Sequence, residues 1–123
     1  MDFKSITSEK YLQYFSSHGE HSISDPEMTE FLNDMITTSE GIAQTVPPAE
    51  IIKESMRKCS LEGSPYDAVL QIANSELLGS LTALEAFALL WFVSCKNSLA
   101  YQEEIYLRHA NNGVIGKLLS RLA

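Results

Sequence analysis

The chain has 123 residues, enough for one domain with its own core and no need of disulfides or metal. Apolar residues make up 45% and charged residues 20%, which excludes a disordered chain. A net charge of −7 speaks against a phosphate-binding surface, because nucleic acid needs clustered Lys and Arg.

The opening stretch MDFKSITSEK is polar and mixed in charge, with no apolar run of the kind a secretory signal carries. The most membrane-like run, AFALLWFVSC at 86–95, rises only ~15 Å, about half a hydrocarbon core. These features predict a cytoplasmic protein without a membrane partner, in which Cys59 and Cys95 stay reduced.

The spacing of apolar residues is helical throughout, and no alternating β-branched run or Asn-Gly hairpin occurs. The first helix is expected over residues 8–18, capped by Thr7, with Ile6 stapled to Tyr11 and a stop at Gly19. Ser24 and Glu27 predict a capping box for a second helix, with Pro26 in its first turn and Gly41 as its stop. Met28, Phe31, Leu32, Met35 and Ile36 form its apolar side. A third helix is expected over 48–61, ending at Gly63, and a fourth, capped by Ser64, reaches about residue 78 before Gly79 breaks it.

Thr82 and Glu85 predict a capping box for a fifth helix over 83–96, apolar nearly all round and so expected to be surrounded by others. Ser98 caps a sixth helix over 99–111, unless both segments form one long helix. A last short helix follows Asn112-Gly113 over 114–122. The predicted fold is all-α: a single domain over 1–123, with six to seven helices bundled around the 83–96 helix.

Candidate sites for chemistry are sparse. His18 and His21, with Glu20 between them, resemble half a metal site, but structural zinc needs four ligands, usually with thiolates. The stretch reads more simply as one helix ending and the next beginning, with His21 facing solvent. Arg57 and Lys58 immediately precede Cys59, yet adjacent helical residues point to different faces, which favours a structural thiol. Glu104 and Arg108 have the spacing of a surface ion pair. An enzyme using His109 and Glu104 would need a deep pocket between the last helices. No triad, P-loop or glycine-rich phosphate loop appears, so no catalytic residue, metal or cofactor is assigned.

The placement of charge is more informative. Residues 20–54 hold eight acids and one base, Lys53, while the segments on either side balance. Glu27, Glu30 and Asp34 lie at i, i+3 and i+7 on the second helix, one acidic stripe opposite its apolar side. Asp25 adds to the near end, and Glu20 and Glu40 flank it. The stripe has no helical Lys or Arg partner at i+4, which predicts a docking surface for a basic protein. Changing Glu30 and Asp34 to lysine is expected to leave folding within about 1 kcal/mol, as surface substitutions usually do.

In size, acidity and helicity the whole chain resembles the small acidic helical immunity proteins of bacterial toxin systems, including those of contact-dependent inhibition. The resemblance implies an inhibitor that covers the cationic active site of a partner such as a nuclease toxin. The alternative is a structural or regulatory helical domain that self-associates, with the stripe keeping it in solution.

Overall fold

The computed structural model describes residues 3–16, 20–43, 48–95 and 102–123. Every regular element among these residues is helical. In chain order they are α1 (Glu9–Ser16), α2 (Pro26–Ala43), α3 (Pro48–Lys58), α4 (Pro65–Ala73), α5 (Leu77–Ser80), α6 (Ala83–Ser94), α7 (Gln102–Asn111) and α8 (Val114–Leu122). None of the helices is long and apolar enough to cross a membrane.

The capping box of α6 forms as its sequence predicts. The Glu85 N–H donates to Thr82 Oγ1 at 3.1 Å, and the Thr82 N–H donates to Glu85 Oε1 at 2.8 Å. Residues 86–90 are buried together with Phe92, Val93 and Ser94. Each large apolar side chain removed from water contributes about 2 kcal/mol. The buried Ser94 hydroxyl donates to the Leu90 carbonyl at 2.7 Å, so no polar atom there is stranded. α6 packs against α8, α3, α7 and α2. It ends at Ser94, where Cys95 departs from helical geometry at φ −134°. The expected Asn97-Ser98 break and Ser98 cap lie outside the described residues.

Several helix ends differ from expectation. α1 starts at Glu9, with the Ser8 carbonyl accepting the first bonds from Tyr11 and Leu12, while the Thr7 hydroxyl donates to the Phe3 carbonyl. α2 begins from Asp25, whose carbonyl accepts from Met28 and Thr29, so the Ser24–Glu27 box does not form. α2 also runs through Gly41 to Ala43, because glycine stops a helix only where the chain turns left-handed. α3 ends at Lys58, with Ser60 taking the left-handed position at its C-terminus (φ 56°), three residues before the expected stop Gly63, which also has a positive φ (94°). The Leu61 N–H bonds the Met56 carbonyl and the Ser60 N–H bonds that of Arg57, closing a Schellman motif. The fourth expected helix is two. Asn74 caps α4 by donating its side-chain amide to the Leu70 carbonyl, and Ser75 Oγ accepts from the Leu77 N–H at the start of α5. Short polar side chains offer the backbone these local alternatives to a continuous helix. Gly79, the expected breaker, lies inside α5.

α8 closes the fold. Gly113 takes a left-handed conformation (φ 86°) before it, and Val114, Ile115, Leu118 and Leu119 form its buried stripe. Gly116 lies on the side facing α1, where a Cβ atom would collide with the Phe15 carbonyl oxygen. Close approach of α1 and α8 therefore depends on that glycine.

Candidate functional site

The acidic stripe of α2 meets α1. α1 carries Lys10, Tyr11 and Tyr14 at helical spacing, and each reaches a different carboxylate. The Lys10 ammonium lies 2.5 Å from Glu30 Oε2. The Tyr11 hydroxyl donates to Asp34 at 2.6 Å, and the Tyr14 hydroxyl donates to Asp25 at 2.7 Å. Tyr14 meets the start of α2 and Tyr11 a point two turns on, so the helices run antiparallel. Under this polar edge, Tyr11 packs edge-on against Phe31 at 5.1 Å and Phe15 against Phe31 at 4.7 Å, beside fully buried Met28 and Met35.

This corrects the expected geometry of the stripe. Its carboxylates do not all point to open water, and a cation from another helix does reach one of them. Of the expected apolar side of α2, Met28, Phe31 and Met35 are buried and Leu32 is half-buried, but Ile36 is exposed. The sequence spacing did not show the tyrosines, whose rings enter the core while their hydroxyls reach its edge. Asp34→Lys is accordingly not a neutral change, because it removes the acceptor of Tyr11, a side chain only 2% exposed. Glu30→Lys would set two ammonium groups side by side.

Burial, reinforced by the bonds to Asp34 and Asp25, pushes the Tyr11 and Tyr14 hydroxyls well above their ordinary range, so both stay protonated donors. The Tyr14 bond, with the Ser22 N–H at 3.1 Å, holds the Asp25 carboxyl below its usual value. Lys10 is held above its usual value, first by its bond to Glu30 and further by the charges of Asp34 and Glu27. A hydroxyl orients a carboxylate without cancelling its charge. Asp25 and Asp34 are thus fixed in orientation without a cation beside them, and the seam keeps most of its negative potential. The Lys10–Glu30 pair is half exposed on both sides, so water and salt screen it and it adds little to stability.

Glu27 is half-buried in the first turn of α2, and its carboxylate makes no hydrogen bond or ion pair among the described residues. With Lys10, Gln13, Tyr14, Pro26 and Glu30 it lines an open depression along the seam. Glu27 and Glu30 line this depression, while Asp25 and Asp34 meet Tyr14 and Tyr11 elsewhere along the same seam. Glu40 is exposed further along α2, and Glu20 is exposed in the connector, with a left-handed backbone (φ 66°). Neither joins the depression.

The other expectations fare differently. His21 is buried rather than solvent-facing: its ring lies tilted against Tyr14 at 4.4 Å and Phe15 at 5.9 Å. Its backbone N–H donates to Asn111 Oδ1 at 2.8 Å, tying the connector to the end of α7. That contact spans most of the chain, and local spacing cannot reveal it. His18 lies outside the described residues, among which no group of three or more His, Cys, Asp or Glu side chains has a metal-holding arrangement.

His109 is buried, and its Nδ1 lies 2.7 Å from the Ile105 carbonyl, so that nitrogen carries the proton. Burial lowers the His109 pKa. A depression beside α7 is lined by Tyr66, Glu104, Ile105 and Arg108 and does not include His109. The expected Glu104–Arg108 ion pair does not form among the described residues; the pairs that do include Glu54–Arg57 and Glu85–Lys58. Those two pairs also direct the charges of Arg57 and Lys58 to carboxylates, and Cys59 is itself half-buried against the core. Burial pushes the Cys95 thiol up to about 11, which leaves it protonated and unreactive at neutral pH.

Comparison with family models, curated proteins and solved structures finds no match for this chain.

Proposed function

We propose that this chain is a small protein-binding inhibitor of the immunity type, using its α1–α2 face to cover the cationic active-site surface of a partner such as a nuclease toxin. The observation that supports it is the way the seam holds its acids. Residues 9–43 carry seven acids and one base, and two of those acids are fixed by tyrosine hydroxyls rather than by cations. Their charge therefore stays available to a partner. Their orientation is already set, which reduces the ordering cost of binding. A basic surface approaching this face is steered by the field and loses that help as salt screens it. In this reading α6 is the axis of the helical bundle that serves as scaffold, and the protein acts in the cytoplasm without catalysing a reaction.

Glu27→Lys tests the reading. Glu27 has no hydrogen bond to lose, so folding should change by less than about 1 kcal/mol. A partner captured from the native host should be a basic protein. It should bind the wild type several-fold more tightly than the variant, and the difference should shrink between about 50 and 300 mM salt. Equal affinity for both proteins overturns the assignment of this face. A salt-insensitive homodimer, unaffected by the substitution in light scattering, points instead to self-association.

A further inference from the structure

We draw no further inference here: the strongest candidate, the acidic depression between α1 and α2 lined by Lys10, Gln13, Tyr14, Glu27 and Glu30, belongs to the face already described and carries no second observation that points to a ligand of its own.

Discussion

The contact between α6 and α8 and the contact between α1 and α2 are built on different chemistry. Apart from Ser94, the buried residues of α6 and α8 are apolar, nearly all round on α6 and along one stripe, marked by its periodicity, on α8. α1 and α2 share an aromatic and methionine interior too, but their edge is closed by one ion pair and two tyrosine–carboxylate bonds. The second arrangement lets an acid-rich helix pack against a neighbour with little neutralisation. A carboxylate needs a donor, and the donor need not be a cation.

The largest expected effect lies on the apolar side. Phe87→Ala removes a fully buried ring that stacks 5.3 Å from Phe3, and it should cost about 3–5 kcal/mol in urea unfolding. On the polar side, Tyr11→Phe leaves Asp34 without its donor and should cost about 1.5 kcal/mol. Tyr14→Phe should cost less, since Asp25 keeps the Ser22 N–H. Negligible losses from both tyrosines would mean that the hydroxyl bonds do not hold the seam.

Acid should act on the buried histidine of α7 before it acts on the α1–α2 seam. His109 has a folded pKa below its ordinary 6.5, so the folded protein binds fewer protons at that site than the unfolded chain does. Its contribution to stability is present above pH 6.5 and is lost as pH falls from there through the folded value. Asp25, also lowered, contributes above its ordinary 3.8 and is lost only in stronger acid. Urea midpoints should therefore begin to fall below pH 6.5 in the wild type, and this first fall should be absent in His109→Gln. The smallest effect is a control away from both contacts. Ser60→Gly relieves a left-handed residue at the end of α3 and should raise stability by about 0.5 kcal/mol, read as a small upward shift in the urea midpoint.

Much of the helix content was legible because it rests on local chemistry. The Thr82–Glu85 box, the Ser64 cap before Pro65 and the apolar stripe of α8 each lie within a few residues. Helix ends were less legible where several polar residues compete: Asp25 displaced Ser24 as the start of α2, and Ser60 displaced Gly63 at the end of α3. The candidate face was half legible. Its acids and their spacing are in the sequence, but their partners come from another helix. A tyrosine at position 11 or 14 is counted as apolar by any periodicity argument, and its hydroxyl is invisible to it. His21 was misread for the same reason, since its neighbours Tyr14, Phe15 and Asn111 are assembled by tertiary packing.

Gly116 bears on how such a chain could drift and still fold. The carboxylates at the rim of the seam can trade places, because a field depends on where charge gathers more than on which residue bears it. The bare Cα at 116 cannot move in that way, since the atom it makes room for is the backbone oxygen of Phe15. Distant kin would be marked less by their acidity than by a residue without a side chain one turn into the last helix, facing an aromatic residue near the end of the first.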